Sequence, residues 1–212
     1  PTRMDVVELA LHRPWSVHEL RDALARTDSE FGFLLTIDDK VVVSHYSGGN
    51  GPLTRFRLFS SLSKPLTALA VLLLVQDGVV SPTTTLGDLG SAVARDATLW
   101  QLLTHTATVP DVTSDLYFRR TPLHRFRDVA RWPACTPMPL DDFVADVATA
   151  ERAAPAGGAA GVPRYNNTGY DLLGYAIYLA TGVATDEFVR RRVLVPLEMH
   201  HTGFHNDGHP AE

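Results

Sequence analysis

Residues 59–80 read FSSLSKPLTALAVLLLVQDGVV. Short hydroxyl residues open the stretch, an almost unbroken apolar run follows, and Gly78 closes it. A run that is apolar on all sides is typical of a buried helix, and glycine is common just past a helix C-terminus. The stretch therefore predicts a buried helix with polar chemistry at its N-terminal end.

Ser61 and Lys64 stand three residues apart at that polar end. On a helix, this spacing puts two side chains on one face with Cβ atoms about 5–6 Å apart. A serine becomes a useful nucleophile when a neighbouring base takes its proton, and a buried lysine can be that base. The chain has only two lysines, Lys40 and Lys64, among 19 lysines and arginines, so a lysine here indicates proton transfer. The alternative is that Lys64 extends from a core helix to solvent and that Ser60 or Ser61 caps the helix.

A second polar group, Tyr165-Asn166-Asn167, comes ahead of a helix predicted from about Thr168 to Ala180. A phenol transfers protons near neutral pH only where nearby positive charge lowers its pKa, and Lys64 could supply that charge. The alternative is an asparagine that caps the helix beside a packed tyrosine.

Four blocks occur in order within residues 31–204: LFSSLSKPLTALAVLLLVQDGVVSPTTTLGDLG, ATLWQLLTHTATVPD, PRYNNTGYDLLGYAIYLATG and VLVPLEMHHTGF. Together they resemble the serine β-lactamase and penicillin-binding-protein family, most closely its class C-like esterase and D-aminopeptidase or carboxypeptidase branch. The resemblance implies an α/β (α+β) fold, with an antiparallel sheet flanked by helices beside a mainly helical region. Residues 1–62 would contribute a helix and a hairpin to the sheet region, and residues 63–212 would carry both motifs.

The resemblance also implies roles for the polar residues. Ser61 would attack an acyl group, Lys64 together with Tyr165 would remove its proton, and Tyr165 would protonate the leaving group. Asn167 would orient the lysine and a substrate amide. The implied substrate is a small-molecule or peptide ester, amide or lactam, and no cofactor is implied. A transacylase with a non-water acceptor and a catalytically inactive binding or assembly module are the alternatives.

An irregular stretch, Thr113–Pro139, matches a region that often lines the acyl pocket in the resembling family. Tyr117, Phe118 and Trp132 are therefore candidate substrate contacts, with ordinary loop packing as the alternative.

His105 closes a helix predicted over Thr98–His105, and Ala107-Thr108 stand where the family usually continues Ser-Gly. A histidine at a helix end is more often hydrogen-bonded to backbone than catalytic, so His105 is expected to be structural. His201-Thr202-Gly203 has the form of a further family motif, but its context matches a structural block. Four histidines lie close together near the end of the sequence, and interrupting glycines should keep them from converging on a metal. These are His200, His201, His205 and His209.

Local signals predict the remaining elements. Ser16-Val-His-Glu19 is a capping box that opens a helix through Ala25. Strands Phe31–Ile37 and Val41–Tyr46 read as a hairpin. Further elements are a short strand at Arg55–Phe59, a turn-rich connection over Ser81–Leu89, inward-facing Leu99, Trp100, Leu102 and Leu103, and helices over Leu140–Arg152 and Thr185–Val193.

Composition excludes several classes of function. With a net charge of −5 over 212 residues, the chain has no basic surface for nucleic acid. The single Cys135 cannot form an internal disulfide, which fits a reducing compartment. No apolar run reaches the about 18 residues of a membrane span, and the N-terminus lacks the order of a secretory signal, so a cytoplasmic protein is expected.

Members of the resembling family run longer than this chain, and the additional part would supply sheet strands and a third motif. A two-stranded hairpin is marginally stable alone. We therefore expect a complementary C-terminal segment or second chain. A cleaved enzyme half, a fragment and a shortened homologue are the three explanations that the sequence leaves open.

Overall fold

The structure is a computed structural model, and it divides into two compact units, residues 1–58 and residues 59–212. The predicted strand Arg55–Phe59 lies outside the described residues. The described residues are 16–26, 31–47, 60–113, 140–153 and 161–204.

In the first unit, helix α1 covers Val17–Ala25 and starts at the predicted capping box. Ser16 Oγ accepts the Glu19 N–H at 3.2 Å, and the Glu19 carboxylate accepts the Ser16 N–H at 3.0 Å. Two of the amides that a helix start leaves unpaired are thereby satisfied. The predicted start and end of this helix are confirmed.

Strands β1 (Phe31–Ile37) and β2 (Lys40–Ser47) form the predicted antiparallel hairpin, with β2 one residue longer at each end. Its turn uses Asp38 and Asp39, with φ of 49° and 60°. Two left-handed residues make a tight turn whose twist matches that of the strands, and aspartate tolerates this conformation. The register shifts at Val42, whose carbonyl accepts a hydrogen bond of 3.0 Å from the Arg21 guanidinium.

The second unit starts with a 3₁₀ turn, Ser60–Ser63, that leads into α2, Lys64–Gln76. Pro65 has no N–H to donate to the Ser61 carbonyl, which disfavours a regular α-helix over the serines. The predicted helix, which opens with the hydroxyl residues and closes at Gly78, is therefore wrong at its start. At the other end, Gly78 has φ of 72° and ends the helix as expected.

Four further helices follow among the described residues of this unit, and the last of them continues into a π-helical turn over Arg190–Leu194. The helix predicted over Thr185–Val193 has the right extent, but its second half has the wider hydrogen-bond pattern, which apolar periodicity does not distinguish. The helices are α3 (Leu99–Leu103), α4 (Leu140–Ala153), α5 (Asn167–Thr181) and α6 (Thr185–Val189).

The core of the second unit lies where α2 packs against α5 and α6. From α2 it takes Ala70, Val71 and Leu74, which share one face, and α5 contributes Leu172, Leu173, Ala176 and Ile177. This packing fixes the N-terminal ends of α2 and α5 within the same unit, and the polar motifs lie at those two ends.

Two expectations about α3 are corrected. The helix is five residues long, with Thr98 as its capping residue, and does not extend to His105. Leu99 and Leu102 face the core as predicted, but Trp100 is 56% exposed. Successive helical residues are turned by about a third of a turn, so Trp100 lies away from the buried face.

No helix among the described residues is both long enough and apolar enough to cross a membrane. The cytoplasmic location stays a prediction.

Candidate active site

Ser61 and Lys64 lie together at the start of α2. Ser61 belongs to the 3₁₀ turn and is exposed, whereas Lys64 is the first residue of the helix and is half-buried. Lys64 Nζ donates a long hydrogen bond of 3.5 Å to Ser61 Oγ. The N-cap position of α2 is Ser63, so Ser61 is not the capping residue of this helix.

Tyr165 reaches the same serine hydroxyl from the segment that precedes α5. Tyr165 Oη and Ser61 Oγ share a hydrogen bond of 2.6 Å. Lys64 Nζ lies 4.9 Å from the centroid of the Tyr165 ring. The serine hydroxyl is therefore in contact with both groups that could take its proton.

Asn167 holds the lysine from the other side. Its Oδ1 atom accepts a hydrogen bond of 2.7 Å from Lys64 Nζ, shorter than the contact of the lysine with Ser61. Asn167 is the first residue of α5, so a rigid helix positions the amide. The structure thus brings together four of the predicted site residues, Ser61, Lys64, Tyr165 and Asn167.

The electrostatics of Tyr165 suit proton transfer. Partial burial raises the pKa of the phenol, but hydrogen bonding with Lys64 and Ser61, together with the lysine charge, outweighs it. The pKa of Tyr165 is therefore held below its ordinary value of 10.0. A phenol with a lowered pKa gives up its proton more readily, and as phenolate it can accept one from the serine.

Asn166 anchors the segment that carries the tyrosine. Its Oδ1 atom accepts the Gly169 N–H at 2.9 Å, which caps α5, and its Nδ2 atom donates to the Val109 carbonyl at 2.8 Å. The side chain is nearly buried. The capping alternative therefore holds for Asn166, while its neighbour Asn167 faces Lys64.

His105 packs against the same segment. Its Nδ1 atom accepts the Asn166 N–H at 3.2 Å, and its carbonyl accepts the Arg164 N–H at 2.7 Å. The expectation that this histidine is hydrogen-bonded to backbone is confirmed.

Sequence reasoning misses Tyr170 and Asp111. The Tyr170 ring lies 5.6 Å from Lys64 Nζ, and Asp111 Oδ1 accepts from the N–H and hydroxyl of Thr168 at 3.4 Å each. A signal for Tyr170 is present in the sequence, because it follows Asn167 by three residues and so shares its helix face. For Asp111 the available signal is its position at the end of the second block.

The remaining candidates fall into two groups. Tyr117, Phe118 and Trp132 lie outside the described residues, as do His205 and His209. His200 and His201 are exposed. Within the described ranges, no group of three or more His, Cys, Asp or Glu side chains is arranged to hold a metal.

Comparison with known proteins shows the family to which the chain belongs. A family model for Beta-lactamase matches residues 25–211. The chain therefore belongs to the beta-lactamase family. This is a family of serine hydrolases, and the expected β-lactamase-like fold is confirmed.

Three relatives illustrate how this beta-lactamase family chain compares. Over 184 residues it is 26% identical to penicillin-binding protein 4* of Bacillus subtilis (strain 168), covering 82% of the chain and 38% of that protein. The structure of a penicillin binding protein from Bacillus halodurans matches with a TM-score of 0.67 and 29% identity, over 94% of this chain and 59% of that one. A structure of SurE with D-Leu matches with a TM-score of 0.60 and 28% identity, over 86% and 40%. The chain thus spans less than two thirds of each of these relatives.

Proposed function

We propose that this chain carries the nucleophile and the proton-transfer groups of a serine hydrolase or acyltransferase that works through a covalent acyl-serine. One observation carries the proposal: Ser61 Oγ lies 2.6 Å from Tyr165 Oη and 3.5 Å from Lys64 Nζ. A nucleophile in contact with a base that a third group orients is the general signature of covalent catalysis, and Asn167 orients the lysine here.

The reaction proceeds in two stages, formation of the acyl-serine and its cleavage. Ser61 Oγ attacks the carbonyl carbon of an ester, amide or lactam, and its proton passes to Tyr165 beside Lys64. The bond from that carbon to the leaving oxygen or nitrogen then breaks, and Tyr165 returns a proton to the leaving group. The Ser61 N–H supplies one oxyanion donor, a contribution worth about 10²–10³ in rate at such sites. Water or another acceptor finally attacks the acyl-serine and releases Ser61.

The proposal includes a complement to the sheet. The hairpin leaves Leu34, Ile37 and Val41 more than half exposed, and a pair of strands gains stability when further strands or helices pack against it. The greater length of the relatives supports a further segment or chain in that role.

The comparisons suggest the first substrates to test. D-Leu is present in one of the matched SurE structures, so esters and amides of D-amino acids belong in the first panel. Hydrolysis and acyl transfer are then separated by analysing products with and without an added amine. A new amide in its presence indicates a transacylase, and free acid alone indicates a hydrolase.

The decisive experiment is intact-mass analysis after treatment with an alkyl fluorophosphonate. The probe forms an Oγ–P bond with an activated serine and releases fluoride. We expect one adduct on the 212-residue protein and none on Ser61→Ala. Ser63→Ala is the matched control, because Ser63 is an exposed serine in the same turn, and it should label like wild type.

Two results would overturn the assignment. Labelling of Ser61→Ala at the wild-type rate would place the nucleophile elsewhere. Wild-type protein that stays unlabelled in the presence of its complementary segment or chain would instead favour a binding or assembly module.

A further inference from the structure

His105 occupies an unusual backbone position. It follows the last turn of α3 with φ of 58°, where helices most often place glycine or asparagine. A left-handed conformation is unfavourable for most residues with a side chain, so a histidine here carries a backbone cost that glycine would avoid. Such an outlier points to a task for the side chain.

The imidazole contacts the tyrosine segment in two ways. Its Nδ1 atom accepts the Asn166 N–H at 3.2 Å, directly after Tyr165 in the chain. Its ring centroid lies 4.7 Å from that of Tyr165 and 5.0 Å from that of Tyr170, distances typical of aromatic contacts. The ring is thus packed between the two tyrosines, and its nitrogen holds the backbone next to the first.

The hydrogen bond with Asn166 exists only while Nδ1 carries no proton, because an N–H group donates to that atom. Burial, and then the charge of Lys64, lowers the pKa of His105, with the charge of Asp111 acting in the opposite direction. Among the described residues, Tyr165 and Tyr170 are the other titratable groups whose rings contact the imidazole. The surroundings therefore favour the neutral imidazole that the contact requires.

We infer that His105 is a positioning residue for Tyr165: its unprotonated Nδ1 and its ring together hold the phenol at the Ser61 hydroxyl. The inference rests on the proposed function, in which Tyr165 takes the Ser61 proton. His105 itself transfers no proton. It fixes the distance over which Tyr165 does so, and protonation of Nδ1 releases that hold.

Two substitutions separate the contributions of the nitrogen and the ring. His105→Asn keeps an acceptor, removes the ring, does not titrate and tolerates a positive φ. His105→Phe keeps a ring and removes the acceptor. The matched control is His200→Asn, the same exchange at an exposed histidine outside the site. The rate of fluorophosphonate labelling is measured for each full-length protein from pH 5 to pH 9.

We expect His105→Phe to label about 10²-fold more slowly than wild type near pH 8, the cost of a misplaced catalytic group. His105→Asn should lose about tenfold at most near pH 8, since only the ring contact is gone. As the pH falls through the lowered pKa of His105, the wild-type histidine gains a proton and the asparagine does not, so the ratio of the His105→Asn rate to the wild-type rate should rise with falling pH. A purely structural histidine would leave that ratio constant.

A second readout does not depend on labelling. The difference in ultraviolet absorbance between each protein and its Tyr165→Phe counterpart reports the titration of the Tyr165 phenol. In His105→Phe the pKa should move back toward about 10, because the phenol leaves Lys64. If wild type does not label, the proposed function fails, and this titration still decides the role of His105. A His105→Phe protein with wild-type phenol titration, or a rate ratio independent of pH, would overturn the inference.

Discussion

The two segments that form the candidate site are held in place by different forces. The Ser61–Lys64 turn is held in place because the apolar face of α2 packs in the core, where Leu74 is only 3% exposed. The Tyr165–Asn167 segment is fixed by polar contacts, in which Asn166 and His105 each bond to backbone. One side of the site therefore depends on burial several residues along a helix, and the other on hydrogen bonds that join the segment to the Val109 carbonyl and to His105.

This difference determines which substitutions should change the free energy of unfolding and which should change the rate of reaction. Burial has no direction, so the core under α2 can be weakened without moving the serine relative to the lysine. Hydrogen bonds are directional, so a lost bond near Tyr165 shifts the phenol itself. Substitutions on the α2 side should therefore divide cleanly into those that affect folding and those that affect reaction, and substitutions on the tyrosine side should affect both.

The largest effect should come from Lys64→Met, which keeps the length of the side chain and removes its charge. We expect fluorophosphonate labelling to fall by about 10²–10⁴-fold, the usual contribution of general acid–base catalysis. The pKa of Tyr165 should rise at the same time, because burial then acts with only the Ser61 hydrogen bond against it. Labelling rates and the phenol titration measure the two effects.

The only other lysine in the chain supplies the control for that experiment. Lys40→Met makes the same exchange at an exposed position in β2. It should leave both the labelling rate and the phenol titration at wild-type values. A loss of labelling in Lys40→Met equal to that in Lys64→Met would remove the basis for a special role of Lys64.

The second prediction concerns the apolar core that holds α2 in place. Leu74→Ala leaves a cavity where α2 packs against α5, and such changes cost about 2–5 kcal/mol of unfolding free energy. Denaturant titration should show this loss, while the labelling rate of the folded protein stays at its wild-type value. Leu72→Ala is the control, because Leu72 lies on the same helix at 48% exposure, and its cost should be within about 0.5 kcal/mol.

The sequence is most informative on the α2 side of the site. The spacing of Ser61 and Lys64 places them on one face whether the turn is 3₁₀ or α-helical, so the wrong helix type at residues 60–63 does not disturb their contact. The pairing of Tyr165 with Ser61 came from the resemblance of ordered blocks. Local pattern alone could not supply it, because a long stretch of chain separates the two residues.

The tyrosine side could not be worked out in detail from the sequence. Asn166 and Asn167 are equally suited to cap a helix, and only the position at which α5 begins decides which of them caps and which faces the lysine. The left-handed conformation of His105 is likewise set by its contacts after α3 and not by its own preference. The exposure of Trp100 could not be predicted, because the sequence of a short apolar helix does not reveal which of its faces is covered.

The smallest expected effects concern two neighbouring residues on the tyrosine side of the site, Asn166 and Asn167. Asn166→Ala removes the cap of α5 and the bond to the Val109 carbonyl, so it should cost about 1–2 kcal/mol of unfolding free energy. Asn167→Ala removes the contact with Lys64 Nζ but leaves the cap of α5 in place, so it should cost less unfolding free energy than Asn166→Ala while slowing labelling. Because each variant deletes one amide at adjacent positions, they serve as controls for each other. If the two lose equal stability and equal rate, the segment acts as one unit, and the separation of anchoring from lysine orientation is wrong.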